Sequence, residues 1–158
     1  MKRIDEILSN PLFLSTLKQI GTYESERYFC KHDIEHLLSV ARIMLIQSYE
    51  EAIAIDKDII YATALLHDIG RALQYEKGIP HAEAGIDIVH NILEQCYYTE
   101  KERKTISLAI LNHNDKEETS KLSQLLKYAD QVSRNCFCCK AYEACNWPQE
   151  KKNKGVVI

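Results

Sequence analysis

Apolar residues recur along this chain at helical spacing, and nowhere do they keep up the strict alternation of a half-buried strand. The spacing predicts a short helix over 2–9, ended by Asn10-Pro11. There Asn10 can cap, and Pro11 takes the first position of a second helix running to about Ile20. A third short helix is expected over about 23–30. A long amphipathic helix over 32–54 sets Leu37, Val40, Ile43, Met44 and Ile46 on its apolar side. Asp56 can cap the next helix, which runs to Ile69 and stops at Gly70. Residues 71–79 read as a loop closed by Gly78 and Pro80, and Pro80 opens a helix through about Gln95. Thr99 and Glu102 form a capping box for a helix to about Asn112. Residues 119–134 form another, with Leu122, Leu125, Leu126 and Ala129 inward, and a short last helix is expected near 139–146.

Composition agrees with this all-α reading, since Gly and Pro are few. At 158 residues the chain is long enough for one domain with a real core. Its character changes only at 136–158, a tail rich first in Cys and then in Lys. The expected organisation is a helical bundle over 1–135 with the tail packed on it. A net charge of −3 gives no reason to expect nucleic acid as a partner. No stretch is apolar enough to span a bilayer, so no membrane is expected. The start, MKRIDEILSN, lacks the apolar core of a signal peptide. The expected location is cytoplasmic, where the six cysteines would be reduced thiols or metal ligands rather than a disulfide framework. The oligomeric state is left open.

The segment ATALLHDIGRALQ, 62–74, poses a chemical question, because His67 and Asp68 interrupt an apolar run. A carboxylate there is costly unless it is paired or bound to a cation. Four further residues lie on or beside apolar helix faces: His36, His81, His113 and Asp130. Neutral imidazole and carboxylate are the usual protein ligands of divalent first-row metals, and a metal would offset the burial of both aspartates. His81, at a helix start, sits in a field that disfavours its protonation. His32 competes with His36, lying one turn earlier on the same face. His90 matches no pattern and reads as structural. Glu24, Glu26, Asp33 and Glu35 read as a solvated acidic face, although one of them could hold a ligand imidazole.

These residues also carry a resemblance. HLLSVARIM (36–44), ALLHDIGR (64–71) and YADQVSR (128–134) resemble, in order, the motifs of the HD superfamily of metal-dependent phosphohydrolases. HAEAG (81–85) and AILNH (109–113) resemble the extra His positions of members that bind two metals. The resemblance spans about 26–134, and the Val40-Ala41-Arg42 continuation favours His36 over His32. It implies an all-α fold and a divalent transition metal (iron, manganese, cobalt, nickel or zinc) held by His36, His67, Asp68 and Asp130. A second ion would be held by His81 and His113, with Asp68 as bridge. It further implies catalytic roles for Asp68 and His67 in hydrolysis of a small phosphorylated metabolite, a nucleotide first among them, by metal-activated water. Arg71, Lys77, Lys116 and Arg134 are the candidate phosphate contacts. Two rivals share the ligand set: a di-iron oxygenase of the same superfamily, and a non-catalytic metal-binding regulatory module.

The tail cysteines, Cys136, Cys138, Cys139 and Cys145, do not follow a zinc-ribbon spacing. Four thiols within ten residues could bind zinc, but they are expected instead to act as small apolar fillers while Phe137, Tyr142 and Trp147 pack the tail onto the domain. Cys30 and Cys96 read as isolated structural residues. The tail is expected to matter for stability more than for chemistry.

Overall fold

The computed structural model describes residues 1–115, 117 and 120–157. Nine α-helices follow one another among these residues, with no strand. They are α1 (Lys2–Ser9), α2 (Pro11–Tyr23), α3 (Ile34–Glu50), α4 (Lys57–Leu66), α5 (Arg71–Lys77), α6 (His81–Ala84), α7 (Ile86–Gln95), α8 (Glu100–Asn112) and α9 (Lys121–Val132). A 3₁₀ turn, Cys136–Cys138, follows.

The punctuation expected at α2 and α8 is present. The Asn10 side chain accepts from the Leu12 and Phe13 amides, with Pro11 at the first helical position. Thr99 and Glu102 close a reciprocal capping box. Asp33 caps α3 through the His36 amide, whereas Asp56 precedes α4 without a side-chain cap.

Helix α4 is the centre of the bundle. It packs on α3, α8, α1 and α9, and seven of its residues, from Ile59 to Leu66, are buried. That all-round burial explains its lack of a polar face. Ile106, Ala109 and Ile110 of α8, and Leu122, Leu125, Leu126 and Ala129 of α9, face this core as expected. Ile46 of α3 does not; it is exposed at the far side of the helix.

Four expected elements differ. Residues 24–30 form a turn and an extended segment rather than a helix, because the Glu24 side chain is drawn inward. The expected loop 71–79 holds α5, ended by Gly78 in the left-handed conformation. The helix expected from Pro80 breaks at Gly85, which separates α6 from α7. Residues 139–146 form turns rather than a helix. The break at Gly85 has a steric reason. Gly85 lies directly against Gly70, so close that a Cβ on Gly70 would stand 2.0 Å from the His81 carbonyl oxygen. This contact lays the start of α6 beside the end of α4. No helix among the described residues is long and apolar enough to cross a membrane.

Beyond α9 the chain folds back on the bundle. Asn153 Nδ2 donates to the Gln131 and Arg134 carbonyls at 2.9 and 2.8 Å. Buried Lys152 donates to the Tyr142 carbonyl and lies over the Tyr142 ring. Tyr142 and Trp147 are half-buried, but Phe137 is exposed and does not serve as the expected anchor.

Candidate metal centre

His67 and Asp68 sit in the turn that follows α4, with His67 Nε2 and Asp68 Oδ2 aimed at one point. His36 arrives from the first turn of α3 and Asp130 from the last turn of α9. One ligand atom from each of these four lies within 4.8 Å of the others. His67 Nε2 is 3.1 Å from Asp68 Oδ2, and His36 Nε2 is 3.5 Å from that oxygen and 3.2 Å from Asp130 Oδ1.

The imidazoles are all oriented in the same way. The Nδ1 of His67 lies 2.7 Å from the Ala64 carbonyl and that of His113 lies 2.6 Å from the Ile110 carbonyl. Both must donate. Ser133 gives its hydroxyl proton to the Asp130 carbonyl, so at 3.3 Å His36 Nδ1 is the donor to its oxygen. Each Nε2 is therefore left as a lone pair aimed inward. Lone pairs of imidazole and carboxylate facing one another across 3.1 to 3.9 Å repel unless a cation lies between them. His67 Nε2 and Asp68 Oδ2 are moreover buried without any hydrogen-bond partner. The four residues thus fit a divalent ion, on geometry and on charge.

Titration points the same way. Burial pulls the His67 pKa down, but Asp68 and Asp130 more than reverse this and push it above its ordinary value. Burial likewise opposes ionisation of Asp68, yet His67, His36 and Arg71 hold its carboxyl well below the usual range. Burial opposes Asp130 too, and His36 and His67 hold it low. The pocket attracts positive charge, and when no metal is present a proton is the available cation.

His81 and His113 stand beside this set rather than in it. His81 Nε2 lies 3.6 Å from Asp68 Oδ1, buried and without a hydrogen-bond partner. Burial, then the charge of Arg71, lowers its pKa to about 4. Arg71 Nε donates to the same Asp68 oxygen at 2.7 Å. His113 packs edge-on against His67, and Asn114 Nδ2 donates to its Nε2 at 2.9 Å.

A cavity of about 320 Å³ opens from Asp130, with His32, Arg71, Arg134, Tyr142 and Trp147 on its walls. Of the four residues expected to contact phosphate, Arg71 and Arg134 line this cavity. Arg134 Nη1 donates to the Lys31 carbonyl, and its Nη2 donates to His36 Nε2 at 3.0 Å. Lys77 is exposed at the end of α5 and is not on the cavity wall. Lys116 lies outside the described residues. His90 is exposed.

Sequence reasoning left the partner of His32 undetermined. Glu24 was grouped with a solvated acidic face of which one member could hold an imidazole, and it is that member, 2% exposed. It accepts from the His32 amide at 2.7 Å, from His32 Nδ1 at 2.5 Å and from the Tyr75 hydroxyl at 2.5 Å. Burial alone would raise its pKa; these three donors lower it to about 2. Burial lowers the His32 pKa in spite of Glu24. His32 is thus a neutral ring held by a carboxylate, with Nε2 4.0 Å from Asp68 Oδ2. No local signal links residues 24, 32 and 75, because only the packing of α5 on α2 brings them together.

Comparison with known proteins agrees with this geometry. The profile of the HD domain matches residues 33–135, well over half of the chain. An uncharacterized protein of Clostridium beijerinckii is 43% identical over 153 residues, 97% of each chain. Ribonuclease Y of Mycoplasma mycoides is 26% identical over 133 residues, covering 84% of this chain and 29% of that protein. The chain therefore spans less than a third of that relative's length. A crystal structure from an uncultured Thermotogales bacterium, described as a predicted HD superfamily hydrolase, superposes with a TM-score of 0.67. It shares 20% identity, over 91% of this chain and 80% of the other, and so speaks for the fold. The profile match falls on the residues that converge here, His36, His67, Asp68 and Asp130, and the chain belongs to the HD-domain family.

Proposed function

We propose that this protein is a metal-dependent phosphohydrolase that cleaves a phosphoester of a small metabolite, a nucleotide first among them. The HD domain and its His/Asp set support a metal-dependent hydrolase-type function. The observation that carries the finer reading is the pairing of that set with two guanidinium groups, Arg71 and Arg134, on the wall of one cavity. Guanidinium forks match the non-bridging oxygens of a phosphoryl group. Tyr142 and Trp147 on the same wall offer aromatic faces to a nucleobase. The cavity has the size of a small-molecule site. The name ribonuclease Y, borne by relatives of this domain, also favours a nucleotide-derived phosphoester.

A divalent ion held by His36, His67, Asp68 and Asp130 would supply Lewis acidity to water and to the phosphoryl oxygen. The chain supplies the rest. Asp68 Oδ2 and His67 Nε2 orient the reacting groups, and Arg71 stays tied to Asp68 Oδ1 while its remaining N–H groups face substrate. Neutral His32 is placed to take a proton at Nε2, with Glu24 steadying the imidazolium that results. His81, with Nε2 3.6 Å from Asp68 Oδ1, and the neighbouring His113 would hold a second ion.

The test is phosphate release from nucleoside mono-, di- and triphosphates, dinucleotides, short RNA and sugar phosphates, with manganese, cobalt, nickel or iron supplied anaerobically. Turnover of a small nucleotide is expected. A metal-loaded protein inert toward the whole panel would overturn the reading, and substrate-dependent oxygen uptake would replace it with the oxygenase.

A further inference from the structure

The six cysteines are scattered in sequence, but four of them line one cavity. Cys30, Cys136, Cys139 and Cys145 all line the cavity beside the His/Asp set. Cys30 comes from the extended segment ahead of α3 and the other three from the tail. The selection is specific. Cys138, between two of them in sequence, is exposed and off the cavity wall, and Cys96 is buried in the hydrophobic core. All six are free thiols.

Apolar packing does not account for this arrangement. Filler thiols belong in a core, as Cys96 does, yet Cys30, Cys139 and Cys145 are only half-buried at a cavity surface. The four are close enough for the tail thiols to bear electrostatically on Cys30, whose pKa burial already raises. Thiolates there would need positive charge, and Arg27, Arg71, Arg134 and Lys152 line the same cavity. The sequence alone hid the set, since its fourth member is supplied by residue 30.

We propose that Cys30, Cys136, Cys139 and Cys145 are the ligands of a second metal centre, a four-thiolate site for an iron–sulfur cluster. Four cysteines are the usual complement of such a cluster. A single zinc, with Zn–S bonds of about 2.3 Å, would need its sulfurs within about 4 Å of one another. Among the described residues only the His/Asp set brings its ligand atoms within 4.8 Å of one another, so the thiols do not fit a single zinc. The centre would tie the segment bearing His32 to the tail and fix Tyr142 and Trp147 over the cavity. It would share the cavity that the proposed reaction gives to substrate, and metal and sulfide content, which reads no turnover, tests it apart from that reading.

The experiment uses the full chain, purified anaerobically, with zinc, iron and acid-labile sulfide measured per chain. Iron with matching sulfide is expected; zinc without sulfide would overturn the cluster. Iron and sulfide should persist in Cys138→Ser, sulfide should persist in Asp68→Ala, and both should fall by more than half in Cys139→Ser and Cys145→Ser. Native alkylation followed by mass spectrometry needs no variant. Cys138 should label at once, while Cys30, Cys136, Cys139 and Cys145 should label only after chelation. Metal content unchanged in Cys139→Ser and Cys145→Ser, or labelling of the four that ignores chelator, would overturn the proposal.

Discussion

Gly70 and His81 meet backbone to backbone: a Cβ on Gly70 would stand 2.0 Å from the His81 carbonyl oxygen and 2.6 Å from the Gly85 amide nitrogen. The atoms in the way are main chain, so no side-chain rotation relieves the clash. Gly70→Ala should therefore push α6 away from the end of α4 and carry His81 away from Asp68. The expected cost is about 1–3 kcal/mol, as for other overpacked sites. A chain of this size would lose roughly 2–4 °C in Tm per kcal/mol. Thermal unfolding with and without added metal checks it. An unchanged melting temperature would show that the two segments part freely.

Asp68→Ala should abolish metal retention at the His/Asp centre and phosphohydrolase activity, while the far-ultraviolet circular dichroism stays helical. The variant loses a ligand, and it also removes a buried charge that the metal no longer needs to offset. Arg71 loses its partner at 2.7 Å, so a modest fall in stability is expected. A variant that keeps its metal and full turnover would refute the ligand assignment.

Arg134 behaves differently, because its Nη2 now occupies the His36 Nε2 lone pair that an ion would take. Metal binding should release that N–H toward the cavity. Arg134→Ala should therefore keep or raise metal affinity and lower kcat/KM by about 10–100-fold, the worth of one charge-assisted hydrogen bond. Calorimetric metal titration beside steady-state kinetics separates the two effects. Loss of metal with an unchanged KM would contradict the assignment.

Glu24 predicts a pH dependence. Its pKa in the fold is about 2 against an ordinary 4.5. The unfolded chain takes up the proton first, so Glu24 contributes stability fully above about pH 4.5 and loses it as pH falls toward about 2. Glu24→Gln should be less stable at neutral pH and should lose less stability across that window than the native protein. Denaturant unfolding at several pH values checks it; parallel curves for the two proteins would show that the carboxylate carries no such linkage.

Asn153→Ala removes two donors to carbonyls at the end of α9 and should destabilise the tail by about 1–3 kcal/mol. Limited proteolysis should cut within 136–157 faster while the bundle survives. Since Tyr142 and Trp147 line the cavity, KM should rise as the tail loosens. Unchanged KM with a cleaved tail would instead favour a tail that matters for stability more than for chemistry.

The helices with strong local signals were legible from sequence: α2 through Asn10-Pro11, α8 through Thr99 and Glu102, and α9 through its leucine stripe. So were the residues that converge: the cost of burying charge singled out candidates, and the resemblance to the HD superfamily selected His36, His67, Asp68 and Asp130 among them. Less legible was α5, whose residues include Arg71 and Tyr75, side chains that acquire a purpose only against Asp68 and Glu24.

Sequence by itself determined the helical character and most of the core faces, since periodicity and caps are properties of neighbours along the chain, and the resemblance of its motifs to the HD superfamily implied the membership of the His/Asp set. Only the tertiary structure decided which side chains from distant segments share a space. The packing of α5 on α2 buried Glu24 with His32 and Tyr75, the Gly70–Gly85 contact placed His81, and the return of the tail brought Cys30 to Cys136, Cys139 and Cys145. Those meetings depend on how helices pack and where loops return, and no short window of residues encodes either.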